Sequence, residues 1–213
     1  MKYLFLDTSA FNVNIAVVVD DKIVSSFTVA NNQKLSEHIF IYLEDVLNKS
    51  RTKINEIDKV FIAQGPGSFT GARVGVTIAK TMAWALNIPI IPVSTLEIYA
   101  TTKVDSKYVV SFIKDRNDYL YAGIYDTELN IFMEDKYLHL SELLDVLKEI
   151  DDYIFVGYDD LDISEEIVIP TIDIMKIIKK HNDDQAVNVH LVKPNYLKKT
   201  NAEINLEKEN KSD

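Results

Sequence analysis

QGPGSFTGARVGVTIAK, from Gln64 to Lys80, holds four of the six glycines in a chain of 213 residues: Gly65, Gly67, Gly71 and Gly75. A glycine-rich turn that opens a helix is a common phosphate site. This stretch, however, has neither the lysine-serine pair of a P-loop nor the Gly-x-Gly-x-x-Gly spacing of a dinucleotide fold. Gly65-Pro66-Gly67 makes a rigid, sharply turning link out of a strand, because proline fixes φ and glycine admits positive φ on either side. Ser68 or Thr70 is placed to cap a helix from about Thr70 to Leu86, whose first N–H groups would suit an anion. Within that helix Gly71, Gly75, Ala79 and Ala83 recur at i+4 and form a smooth stripe that another backbone can approach closely. A glycine inside a helix costs roughly 1 kcal/mol relative to alanine, so a packing reason is expected. A second stripe, Val74, Ile78, Met82 and Leu86, suits the sheet of the helix's own lobe. Arg73 and Lys80 are the only charges between Gly71 and Leu86, and a helix apolar on nearly all sides is buried on nearly all sides. Two coverings are open. The small stripe packs inside the chain on the preceding helix, or both helices form an oligomer or heteromer face.

Around this stretch the chain reads as two α/β units. Tyr3–Leu6, Asn14–Val19 and Ile23–Val29 form a meander of three strands, followed by a helix over Leu35–Leu47 with Leu35, Ile39, Leu43, Val46 and Leu47 at helical spacing. Phe40, Ile41 and Tyr42 widen its apolar surface beyond one stripe. Val60–Ala63 and Pro89–Val93 are strands on either side of the glycine-rich helix, and Ser94 caps a short helix beginning at Thr95. The order then repeats: strands at Tyr108–Ile113, Tyr119–Tyr125 and Ile131–Tyr137, a helix from Leu140 to about Ile150, a strand at Tyr153–Val156, and a helix over Ile172–Lys180. Asp7 and Asp115 each end the first strand of a unit. The expected fold is therefore α/β with two lobes, 1–104 and 105–213, the second reduced and ending in a polar tail from Glu203. Any two α/β units share part of this pattern. Duplicated mixed-sheet lobes facing a cleft are the arrangement of the actin, hexokinase and acetate-kinase class.

Composition narrows the chemistry. The net charge is -10, with 33 acidic against 23 basic residues, which disfavours autonomous binding to nucleic acid or to anionic membranes. There is no cysteine, so no disulfide or thiol chemistry. No apolar run approaches a membrane span, and the opening residues turn acidic too soon for a signal peptide, so a cytoplasmic protein is expected. The histidines His38, His139, His181 and His190 show no His-x-x-x-His spacing, so no metal site is expected. No Gly-x-Ser-x-Gly elbow surrounds Ser9, Ser36 or Ser68. A kinase of the hexokinase class would want Asp-x-Gly phosphate loops, whereas Asp7 is followed by Thr8-Ser9 and Asp115 by Arg116-Asn117. A degenerate or small-substrate ATP-dependent kinase is the alternative function. Asp7 is either a relic of a cation or phosphate site or, the favoured reading, the cap of its own turn through Thr8 and Ser9.

The run Gly65–Gly75 resembles the signature of the TsaB (YeaZ) family. Leu6-Asp7-Thr8-Ser9, Leu35-Ser36-Glu37-His38 and Ile88–Glu97 support the likeness, with weaker echoes at Asp115-Arg116 and Pro194–Lys198. The resemblance implies the two-lobed actin/hexokinase-like fold. It also implies a non-catalytic subunit of the machinery that makes threonylcarbamoyladenosine beside the tRNA anticodon. The implied partners are TsaD, which is related in fold and carries the metal and the catalytic site, and an ATPase, TsaE. On this view tRNA is met only through the complex, and ATP or ADP and metal enter through partners, with no cofactor on this chain alone. The helices Leu35–Leu47 and Thr70–Leu86 would pack on TsaD through Leu35, His38, Ile39, Tyr42, Gly71, Arg73, Gly75, Ala79 and Ala83, and the same face could pair two copies of the chain. Arg73 could take a carboxylate of the partner or a phosphate at the boundary, and Trp84 is a candidate anchor. Gly75→Leu is then expected to abolish pairing and spare the fold. The sequence departs from the family at Asp115-Arg116-Asn117, where a more basic run is usual, and at Gly157-Tyr158-Asp159-Asp160, where Gly-Asp-Gly is usual.

Overall fold

The computed structural model describes residues 1–31 and 34–198. The polar stretch from Glu203, expected as a frayed tail, lies outside them. The first lobe is a five-stranded sheet of order β3-β2-β1-β4-β5, built from β1 (Lys2–Asp7), β2 (Asn12–Val19), β3 (Lys22–Ala30), β4 (Lys59–Ala63) and β5 (Ile90–Val93). The second repeats it as β10-β9-β6-β7-β8, from β6 (Tyr108–Lys114), β7 (Tyr119–Asp126), β8 (Ile131–His139), β9 (Tyr153–Val156) and β10 (Ile167–Val168). In each sheet the first three strands are antiparallel, and the first strand continues in parallel into the fourth. The echo of Asp7 in Asp115 is thus a duplicated topology. The two-residue strand β10 was not expected, since Ile167-Val168 is too short to carry a periodic signal.

The apolar run of β1 is continuous because the strand is covered on both faces. Leu4 and Leu6 join a core with Val13, Ile15, Val60 and Ile62 beneath α1 (Leu35–Lys49) and α2 (Phe69–Leu86). Tyr3 and Phe5 face the other way, into a core shared with the second lobe through α3 (Thr95–Tyr99) and α5 (Ile174–His181). The far face of the second sheet is closed by α4 (Leu140–Leu147) through Leu140, Leu143 and Leu147. The lobes differ at one place. Between β4 and β5 the first lobe carries the 18-residue α2, whereas between β9 and β10 the described chain has no helix. That missing helix is what reduces the second lobe.

Two expectations are corrected. The segment 187–196 does not belong to the second lobe, which the chain meets again only at its last described residues, where Lys198 pairs with Asp115. It packs on the first, with Val192 buried in the core under α1 and α2 and the Asn195 amide donating to the Gln64 carbonyl at 2.7 Å. The small stripe of α2 does not lie open to a partner helix. Gly71, Gly75, Ala79 and Ala83 are all buried against their own lobe. A Cβ at Gly71 would collide with the Thr8 carbonyl oxygen, and one at Gly75 with the Thr8 hydroxyl. The close backbone approach that the stripe implied is real, but the approaching backbone is the chain's own.

The lobes are joined through polar groups at the buried seam. Ser94 Oγ and the Tyr125 hydroxyl both donate to Asp135. His181 Nε2 meets Glu97 Oε1 at 2.8 Å, and its Nδ1 meets Asp184 Oδ2 at 2.6 Å. The hydrogen bond to Glu97, helped by Asp184, lifts the imidazole above its ordinary 6.5. A raised value in the fold means that the contribution is fully present below that ordinary value and is lost as pH climbs through the folded one.

Two predictions follow from this packing. The thermal midpoint should fall as pH rises from 6.5 through the raised value of His181, and His181→Gln should flatten that fall. Gly71→Ala should lower stability by about 1–3 kcal/mol in urea unfolding, the usual effect of overpacking, and Gly75→Leu should damage the fold instead of sparing it.

Candidate functional site

The glycine cluster exists because two turns meet. β1 ends at Asp7, and the chain bends through Thr8 and Ser9; β4 ends at Ala63, and the chain bends through Gly65-Pro66-Gly67 into α2. Gly67, at φ 151°, sits where a side chain would strike the Ser9 carbonyl oxygen. The Ser68 amide donates to that oxygen at 2.8 Å, and Thr8 Oγ1 donates to the Gly71 carbonyl at 2.6 Å. Asn31 Nδ2 ties the same turn by donating to the carbonyls of Thr8 and Ala10 at 2.8 and 3.2 Å. Ser68 caps α2, its Oγ accepting from the Gly71 amide at 3.1 Å.

Asp7 is fully buried in this knot. Its Oδ1 accepts from the Ser9 amide, the Ser9 hydroxyl and the Ala10 amide at 2.9, 3.0 and 3.2 Å, while Oδ2 has no partner among the described residues. Asp7 therefore caps its own turn. Burial pushes its carboxyl up to about 6 from an ordinary 3.8, against the pull of Ser9, Ala10 and the Asn14 side chain. Asp115, its counterpart in the second lobe, also turns away from the cleft. It takes Lys198 Nζ at 2.5 Å and the Tyr137 hydroxyl at 2.8 Å, and these contacts hold it below the ordinary carboxylate range despite burial.

Between the lobes lies a cleft of about 600 Å³, bordered by Ser9, Phe11, Asn31, Ser68, Lys114 and Tyr158. Its mouth is aromatic. Phe11 stacks on Tyr158 with ring centroids 4.6 Å apart, and Asn12 Nδ2 donates to the Tyr158 hydroxyl at 3.1 Å. Tyr158 stands directly after Gly157, where the sequence departs from the family pattern. Lys114 Nζ is occupied by the Asp160 carbonyl at 2.8 Å. Among the described residues no three histidine, aspartate or glutamate side chains gather as metal ligands.

The other surface of interest is the outer side of α1 and α2, which lie together over one face of the first sheet. Trp84 is 66% exposed, Phe40 63%, Ile41 59% and Phe69 51%. Arg73, Thr77, Thr81 and Trp84 form the outward stripe of α2, all exposed. Of the nine residues expected at a docking face, Arg73 is exposed, and His38 and Tyr42 are half-buried and stacked on each other with centroids 6.0 Å apart. Leu35, Ile39, Gly71, Gly75, Ala79 and Ala83 are buried inside the lobe, so these six are not on the surface and the exposed sides of the same two helices carry other residues. Phe40, Ile41 and Phe69 are among those exposed residues. Their signal in the sequence was large apolar side chains off the main helical stripe.

The comparisons agree with this architecture. A family model described as TsaD: tRNA N6-adenosine threonylcarbamoyltransferase matches residues 27–159, a span that includes α1 and α2. The tRNA threonylcarbamoyladenosine biosynthesis protein TsaB of Bacillus subtilis is 31% identical, with 95% of this chain and 96% of that protein covered. The chain belongs to the TsaB family. TsaB of Escherichia coli is 32% identical over 45% of this chain and 41% of that protein. YeaZ from Pseudomonas aeruginosa has the same fold, with a TM-score of 0.78 at 20% identity over 92% of this chain and 99% of that one. With that likeness and the duplicated sheets, this TsaB-family chain has the two-lobed actin/hexokinase-like fold. Among its described residues no helix is long and apolar enough to cross a membrane.

The raised value of Asp7 sets a pH window of its own. The folded state favours the protonated carboxyl, so an unfavourable contribution is absent below 3.8 and fully expressed above about 6, where it amounts to about 3 kcal/mol. Asp7→Asn keeps the acceptor oxygen and removes the buried charge. It should abolish the fall in stability across that window. Urea unfolding as a function of pH checks this, and an undiminished fall would place the titration on another group.

Proposed function

We propose that this chain is a non-catalytic subunit in tRNA threonylcarbamoyladenosine biosynthesis, pairing with a TsaD-type subunit through the outer faces of α1 and α2. One observation carries the pairing: Trp84, Phe40 and Ile41 stand exposed on the two helices that cover one side of the first sheet. Single exposed apolar residues need no explanation, but several large ones on one side of a lobe mark an interaction surface. The full-length likeness to TsaB proteins, and the TsaD-type model spanning both helices, favour a partner related in fold to this chain. Catalysis belongs to the partner in this proposal, as do the ATP or ADP and the metal; this chain binds no cofactor by itself. A TsaE-type ATPase joins the pair. The chain's net charge of -10 argues that tRNA is met only through the complex, in the cytoplasm. The isolated chain uses the same face to form a homodimer.

A kinase of this fold would need open backbone at the turn after Asp7 to receive phosphate. The Asp7 carboxylate occupies the Ser9 and Ala10 amides, and α2 occupies the Ser9 carbonyl. That turn does not favour the kinase alternative.

Co-purification of the tagged chain with the TsaD-type subunit of the same cells tests the proposal. The pair should be recovered at equal stoichiometry. Trp84→Ala should weaken binding by about 2 kcal/mol, roughly thirtyfold, as for a buried aromatic anchor, and Ile41→Glu should abolish recovery. Both positions are on the surface, so the variants should melt like the parent. Undiminished pairing in both would move the interface elsewhere.

A further inference from the structure

Beyond α5 the chain returns to the first lobe and runs alongside α2. The Val187 amide donates to the Ile90 carbonyl at 3.3 Å, and Lys80 Nζ donates to the carbonyls of His190 and Val192 at 3.2 and 2.7 Å. Val192 is buried, and the Asn195 amide reaches the Gln64 carbonyl at 2.7 Å, beside the glycine-rich loop. This strap delivers Tyr196 to the first turn of α2. The ring of Tyr196 lies 5.3 Å from that of Phe69, and its hydroxyl accepts from Arg73 Nε at 2.7 Å. The Arg73 guanidinium carbon is 3.6 Å from the Phe69 ring centroid and 5.7 Å from that of Tyr196.

An exposed arginine on a helix ordinarily carries rotamer entropy that any ion pair must remove. Here that freedom is already spent inside the chain. One flat side of the guanidinium stacks on Phe69, and the Nε donor is taken by Tyr196. The two terminal nitrogens have no partner among the described residues. A fixed planar fork with free parallel N–H donors, set among aromatic rings, suits a carboxylate bound by two hydrogen bonds. Arg73 also shares the outward stripe of α2 with Trp84. They are 11 positions apart, so roughly 16 Å along the helix separates them. Second-lobe contacts hold the far end of the strap, where Lys198 pairs with Asp115 at 2.5 Å and lies 5.1 Å from the Tyr137 ring centroid.

We infer that the docking face of α2 is completed by the C-terminal strap: Tyr196 and Phe69 hold Arg73 as a pre-set fork for a carboxylate on the partner subunit. The partner that fits is a protein with a carboxylate about three helical turns from the apolar surface that receives Trp84. The strap thereby ties the second lobe to binding, because the Asp115–Lys198 pair anchors the segment that positions Arg73. The inference rests on pairing with a TsaD-type subunit, and its test separates the two.

Affinity of the full chain for the purified TsaD-type subunit is measured at fixed salt for the parent, Arg73→Lys, Tyr196→Ala, the double variant and Trp84→Ala, with a thermal melt of each. Arg73→Lys keeps the charge but loses the stacked fork, and should weaken binding about tenfold. Tyr196→Ala should do the same. The double variant should be little worse than either single one, since both remove one element. If Tyr196→Ala melts early, Arg73→Lys, on the surface, still decides. Parent-like binding by Arg73→Lys and Tyr196→Ala, with Trp84→Ala weakened, would overturn the strap inference and leave the pairing standing. Absence of binding by the parent would overturn both. Loss of self-association in the strap variants, with hetero-binding intact, would assign the fork to a second copy of the chain and overturn the inference as stated.

Discussion

Thr8 donates its hydroxyl to the carbonyl of Gly71, and Ser9 offers its carbonyl to the amide of Ser68. These two bonds join the end of the first strand to the start of the long helix at a point where the helix side presents glycines, and the first lobe depends on that approach. Gly67 and Gly71 are where a Cβ would meet a carbonyl oxygen. Ala79 and Ala83 continue the close contact down the sheet. Because the inward side of α2 is filled by hydrogen, methyl groups and a few aliphatic chains, the helix sits low on the strands. Its large and charged side chains, Phe69, Arg73 and Trp84, are left on the outside.

The same knot shapes the cleft. In a two-lobed α/β fold the turn after the first strand faces the space between the lobes, and a ligand there needs open backbone. Here Asp7 folds back on the amides of Ser9 and Ala10, the Ser9 carbonyl is taken by α2, and Phe11 stacks on Tyr158 at the mouth. Burying the Asp7 carboxylate is unfavourable at neutral pH, and the fold tolerates it because three donors converge on one oxygen. The proposed recognition surface is therefore on the outer helix faces, away from the cleft. There the exposed apolar side chains are large and the arginine is held in one orientation by Phe69 and by Tyr196, which lies 123 positions from it in the chain.

Much of this was legible in the residues. Strand and helix periodicities placed nearly every element, because both faces of β1 and the inner stripes of α1 and α2 are apolar and regular. The repeated order after Asp7 and Asp115 pointed to two lobes. The glycine spacing of α2 required a close backbone neighbour and could not name it. An i+4 stripe of small residues looks the same whether a partner helix or the chain's own turn lies against it. The choice fell to the carbonyl and the hydroxyl of Thr8, whose positions depend on the pairing of β1 with β4. β10 was missed because two residues show no period.

The amino-acid sequence by itself determined the α/β class, the duplicated order, the family and the capped, glycine-rich start of α2. All of these are local patterns or runs of identity. Tertiary structure decided which side of α2 faces outward, that Asp7 is enclosed, and that the last described residues cross back over the first lobe to reach Arg73. Those facts depend on contacts between residues far apart in the chain, and the spacing of residues along a strand or helix carries no information about which distant segment will lie against it.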